Sequence, residues 1–287
     1  MKTAINTALI FLVSTAIAGS APADGPGSGN AALRYWAAFS ELRDSAITAR
    51  QAKEINAILD GTAPYDDSKY RDLLEKNRLA LEIMSRGSLL RQCDWGLDYG
   101  LGTDMPVEYA REALTLGRLN VLYTFHLLKS GNVEGAVRAL VSGLRFSSDV
   151  GNGGSLFATL VAKSLLTDHL RAITGVLRLG QLSADRKSRL QTAVAAVSPG
   201  LDWSSAAKRD LELLRSHPQS PKAAAALDHV ASAYVAALGN ESNRAAAEQA
   251  IKATPKELAN AIPNLGTVLK AKHDLADAVH RTRAALR

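Results

Sequence analysis

Apolar residues recur at steps of three and four along most of the chain, and rarely at the step of two that a half-buried strand shows. The stripe is clearest in the middle. Leu114, Val121, Phe125 and Leu128 hold one side of a helix that ends at Lys129, and Pro106 suits its first turn. Val133, Val137, Leu140, Val141 and Leu144 mark the next helix. A long third one runs from Ser155 to about Leu179 through Leu160, Val161, Leu165, Leu166, Leu170, Ile173 and Leu177. The connections, Ser130-Gly131-Asn132 and Gly151-Asn152-Gly153-Gly154, are short enough to force antiparallel neighbours.

The flanks read the same way. Asn30 caps a helix to about Leu42, and a second runs from Thr48 to Leu59. A third starts after Asp66-Asp67-Ser68 and continues through Leu73, Leu74, Leu81 and Met84. Cys93 to Met105 mixes aromatics, carboxylates and glycines, and reads as an ordered loop pinned by Trp95 and Tyr99. Downstream, Ser183 caps a helix to Val197, stopped by Pro199-Gly200, and Asp202 opens another that ends before Pro218. An Ala-rich helix follows Ser220-Pro221, breaks at Gly239-Asn240 and resumes from Glu241 to Ala253. Thr254-Pro255-Lys256-Glu257 combines a cap, a first-turn proline and a capping-box glutamate. Pro263 splits the last segment, and Leu265 to Leu286 closes the chain as helix. The expected fold is all-α: antiparallel helical hairpins in an array, in the manner of an α-α superhelix. Large side chains thin out beyond Gly180, so residues 24–180 read as a compact helical domain and 181–287 as a looser helical extension.

Composition supports helix. Much of the 47% hydrophobic content is Ala and Leu, and aromatics are only 5%. The 287 residues suffice for a real apolar core. The formal charge is +6, but Lys and Arg are interspersed with Asp and Glu, and no basic run carries interleaved aromatics, which argues against nucleic acid as a partner.

The first residues read as a targeting segment. Lys2 precedes an apolar stretch from Ala4 to Ala18, too short for a spanning helix. Ala16-Ile17-Ala18 and Ala21-Pro22-Ala23 are the small-residue patterns that the shallow pockets of a signal peptidase take. Residues 1–23 are thus expected to be a bacterial signal peptide, cleaved near Ala18 or Ala23, giving a periplasmic or secreted protein with no transmembrane segment after its removal. Cys93 is the single cysteine, so no intramolecular disulfide can form, and Leu89, Leu90 and Trp95 around it favour burial of the thiol.

Residues 105–150 resemble one unit of tetratricopeptide type, a helix, a Gly-Asn turn and a helix with Gly135-Ala136 near its start, but no second copy is evident and a generic helical hairpin fits the pattern equally well. Asn30-Ala31-Ala32-Leu33-Arg34-Tyr35-Trp36, Cys93-Asp94-Trp95 and the helix pair ending in Val150-Gly151 resemble a group of uncharacterised bacterial exported helical proteins over residues 30–180. The resemblance implies a fold and no chemistry.

Candidate chemistry is sparse, and no cofactor or metal is indicated. His273 and His280 lie seven apart, about 10 Å along a helix axis, too far for one ion. His126 and His169 fall within apolar helices, the setting of a satisfied core or groove histidine. Either would become a proton-transfer site only by meeting Asp94 or Asp98 in one cleft. Ser155 after Gly153-Gly154 reads as a plain turn and cap rather than an anion site, and Asn240-Glu241-Ser242 matches a glycan acceptor by chance. Trp36, Phe39, Trp95 and Tyr99 read first as core. On a concave helical array they would instead line a groove for a partner or ligand, together with His126. Export, helix pairs and the lack of a catalytic signature point to a scaffold that binds a protein or peptide. The alternatives are an enzyme using a His/Asp pair and a carrier of an apolar ligand.

Overall fold

A computed structural model describes residues 29–45, 47–99, 101, 108–197, 200–216 and 221–287. The expected signal peptide, Pro106, Pro199, Pro218 and Ser220 lie outside the described residues. Within them the chain is helical throughout, with no strand; a single parallel bridge joins Asn30 to Gln92. No helix among them is long and apolar enough to cross a membrane.

The centre is built from α5 (Glu108–Lys129), α6 (Val133–Gly151) and α7 (Leu156–Arg178). Their pairing follows from which residues meet. Asn120 reaches Ala139 and Tyr109 lies against Gly153, so α5 and α6 run antiparallel. Gly143 faces His169 and Gly151 faces Ala162, so α6 and α7 are antiparallel too. Gly117 lies against Leu165 and Gly175 against Phe125, so α5 and α7 are parallel. Asn132 and Ser155 cap α6 and α7 by accepting from the backbone of Gly135 and Ala158, as such residues do at a helix start.

The N-terminal helices cover one side of this trio. α1 (Ala31–Ser40) packs antiparallel on α4 (Arg78–Gly87), and both lean on α5. α2 (Ala49–Asp60) lies on α7, and α3 (Asp67–Lys76) on α5. The sequence reads α3 and α4 as one helix, whereas the chain breaks at Asn77. That residue is fully buried, and its side chain accepts from Arg43 N (2.9 Å) and donates to Arg43 O and Leu73 O (each 2.8 Å). The amide satisfies the turn after α1 at the expense of a continuous helix, the competition with backbone that makes Asn a helix interrupter.

Downstream come α8 (Ala184–Val197), α9 (Trp203–Ser216), α10 (Pro221–Gly239), α11 (Arg244–Lys252), α12 (Lys256–Ala261) and α13 (Leu265–Leu286). They do not trail away. α13 runs parallel to α7, with Lys163 Nζ 3.8 Å from Asp274, and antiparallel to α8, where Gln191 donates to Leu286 O at 2.7 Å. α9 packs on α7, and α10 and α11 stack outside it. One continuous hydrophobic core runs from Ala31 to Leu286. The capping box expected at Thr254 is replaced by another use of its hydroxyl, which donates back to Ala250 O at 3.0 Å and closes α11, so that Pro255 occupies the cap position of α12 without a side-chain bond.

Candidate functional site

The loop before α5 is fastened by aromatic rings and one buried carboxylate. Asn30 Oδ1 accepts from Ala32 N (3.1 Å) and from Asp94 N (2.9 Å), so one side chain caps α1 and holds the loop. Trp95 donates its indole N–H to Asp149 O at 2.8 Å, and its ring stacks on Phe39 and Tyr109. Tyr35 donates to the Asp149 carboxylate at 2.7 Å, and Arg145 pairs with it at 3.1 Å. Burial raises the Asp149 pKa, against the pull of Tyr35 and Arg145. Of the aromatic set, Phe39 and Trp95 are therefore core. Tyr99 is half-buried, donates to Gly153 O at 2.7 Å and carries the Arg209 guanidinium 4.4 Å over its ring. Trp36 alone reaches the surface, 39% exposed. Cys93 is half-buried beside Asp149 O, and burial pushes its thiol up to about 12.

His169 is fully buried where α5, α6 and α7 meet. Its Nδ1 lies 2.8 Å from Leu165 O, and a carbonyl only accepts, so Nδ1 carries the proton. Nε2 then accepts from Asn120 Nδ2 at 3.1 Å, and the same amide donates to Ala139 O at 2.9 Å. A Cβ at Gly143 would collide with the ring, so this glycine is what lets α6 close on it. Burial depresses the His169 pKa to about 4. Its partners are amide, hydroxyl and carbonyl groups, and neither Asp94 nor Asp98 is among them.

His126 finds a carboxylate, but a different one. Its Nδ1 lies 2.6 Å from Asp67 Oδ1, and Asp67 also binds Arg71 (2.6 Å) and accepts from Tyr65 (3.3 Å). Hydrogen bonds from His126 first and Arg71 second hold the Asp67 carboxyl below its ordinary range. The pair ties α3 to α5. It also fixes Tyr65, whose ring stacks on Tyr70 and on Phe125 at 5.9 Å each.

Tyr65 forms one wall of a groove, an open depression of about 640 Å³. Ile58, Pro64, Phe125, Leu128 and Leu179 give it an apolar lining, and Lys129, Arg178 and Gln181 stand at its edge. Gly175 lines the groove from α7, where an added Cβ would come into ordinary contact with the Phe125 ring at 3.4 Å. Arg178 donates to the carbonyls of Leu59 (3.3 Å) and Asp60 (3.4 Å), placing a cation at the negative end of α2. Gly61, at φ +75°, makes the turn there and leaves space for the guanidinium. Lys129 is exposed with no ion pair among the described residues. The groove thus offers an apolar floor beside positive charge, which suits an apolar side chain with an acidic neighbour.

The remaining candidates are solvent-facing or structural. His273 and His280 are exposed, His273 lying 3.5 Å from Glu241. No three of His, Cys, Asp and Glu converge as metal ligands among the described residues. The α7 N-terminus is occupied by the chain itself, Asp210 accepting from Leu156 N at 3.0 Å. Asp98 is exposed, and Asn240 caps the turn at Glu241 to Asn243. Sequence reasoning missed Asp67, Tyr65 and Gly175 as a group. Gly175 in mid-helix is the one signal that was available, since such a glycine costs stability unless something needs the space. Compared with known proteins, the chain matches no family model, no curated protein and no solved structure.

Proposed function

We propose that this is an exported bacterial scaffold that binds a protein or peptide, and that the Tyr65–Phe125–Gly175 groove receives an apolar residue of that partner next to an acidic one. The open groove with its cationic edge is the observation that carries the reading. The α5–α6 hairpin is read as a tetratricopeptide-like unit, a geometry that presents such grooves. The signal-peptide-like leader of residues 1–23 supports a location in the periplasm or outside the cell. N-terminal sequencing of protein exported from a bacterial host is expected to begin at Gly19 or Asp24, and an uncleaved cytoplasmic product would contradict export.

The binding test is selection of a random peptide library on immobilised protein, run in parallel on Gly175→Leu, which fills the groove. Enriched peptides should carry Leu, Ile or Phe beside Asp or Glu and should lose at least about tenfold in affinity on Gly175→Leu. Peptides that bind the filled groove equally well would remove it as the docking surface.

A further inference from the structure

A second cleft lies on a different face of α5, between α4 and α6, and its lining is polar. It has a volume of about 580 Å³. Arg86 of α4 and Arg138 of α6 line it from opposite sides, both exposed and neither with an ion pair or hydrogen bond among the described residues. Glu82 also lines it, but that carboxylate is held by Arg78 at 2.6 Å. Tyr123 and Ser85 add hydroxyl groups, and the Tyr123 pKa is raised by burial and then by the Glu82 charge, against the lowering pull of Arg78 and Arg138.

The floor is Asn120, only 2% exposed. Its orientation is fixed, because both protons of its amide nitrogen are used, one by Ala139 O and one by His169 Nε2. The His169 tautomer, set by Leu165 O, leaves no freedom for the amide to flip. The Asn120 carbonyl oxygen therefore points the other way. It has no partner among the described residues, yet it is not sealed off as the Tyr109 hydroxyl is, so it opens on the cleft. A buried, pre-oriented acceptor without a donor, flanked by two unpaired guanidiniums, is half of a recognition site.

We propose that this cleft binds a small phosphate or carboxylate anion that also carries a hydroxyl or amine, the anion held between Arg86 and Arg138 and the donor received by Asn120. Guanidinium forks match either oxyanion, whereas the single acceptor selects for the donor. An anion without a donor leaves Asn120 unmatched, and a neutral polyol leaves both arginines unmatched.

The test uses the full mature chain at pH 8, where phosphate monoesters are dianions. Glycerol 3-phosphate and glycerate are titrated calorimetrically against methyl phosphate and propionate, which carry the same charges without a hydroxyl. At least one hydroxylated probe should bind saturably, about tenfold more tightly than its partner. Arg86→Gln and Arg138→Gln, both at exposed positions and so compatible with folding, should each weaken it by about tenfold. In amide NMR spectra, the Asn120 side-chain resonances should move with the hydroxylated probe. Failure of both hydroxylated probes to saturate by about 10 mM overturns the proposal, as does binding that is indifferent to the two arginine substitutions or to the missing hydroxyl.

Discussion

Asp210 and His169 hold their protons in opposite senses. Burial raises the Asp210 pKa to about 6, so the folded state takes up its proton more readily than the unfolded chain, and stability is lost as pH rises through that value. Asp210→Asn keeps an acceptor for Leu156 N and removes the buried charge. It should stabilise the protein by about 1–3 kcal/mol at pH 7, with the gain shrinking toward pH 4, as read by urea unfolding at both pH values. His169 works the other way. Its folded pKa is depressed to about 4, so its contribution is present above the ordinary histidine range and is lost as pH falls through it. Its ring should stay neutral and protonated on Nδ1 from pH 8 to 5 by nitrogen NMR; titration in the ordinary range would contradict the buried network. Cys93 gives a kinetic reading of the same physics. With its thiol pushed up to about 12, labelling by a thiol reagent at pH 8 should be about a thousandfold slower than that of an unfolded control. Tyr109 carries a buried hydroxyl with no hydrogen-bond partner among the described residues, so Tyr109→Phe should leave unfolding unchanged or add about 1 kcal/mol.

At the scale of elements, a helix boundary was legible wherever a cap or a breaker fixed it. Asn30, Thr48, Asn132 and Ser155 each accept the backbone bond their position implies. The break at Asn77 was not legible, because its cause lies 34 residues away in the backbone of Arg43. Asn77→Ala abandons three hydrogen bonds in a fully buried place and should cost about 2–4 kcal/mol, loosening the turn after α1 first in hydrogen exchange. The candidate groove was hidden for a similar reason. Tyr65, Phe125 and Gly175 are far apart in sequence, and an apolar stripe does not reveal which of its members is left uncovered. His126 was visible as a candidate, but its carboxylate, Asp67, comes from a helix start that reads as an ordinary capping region.

For the whole molecule, the last helix closes the core that the first ones begin. The sequence shows a C-terminal half thinner in large side chains, and only the structure shows α13 lying along α7 and α8. Val268, Leu269, Leu275 and Val279 are buried there, each contributing about 1.5–3 kcal/mol by leaving water. A chain ending at residue 264 should therefore lose cooperative unfolding and bind a hydrophobic dye, whereas a detachable extension would leave the melt unchanged.

How this molecule meets a partner comes down to where that partner sits. The most direct measurement is an amide NMR map of the protein titrated with a selected peptide. Shifts gathered around Tyr65, Phe125, Gly175 and Leu179 are what the groove reading requires. Shifts centred instead on Trp36 and Leu33, with the groove unmoved, would contradict it.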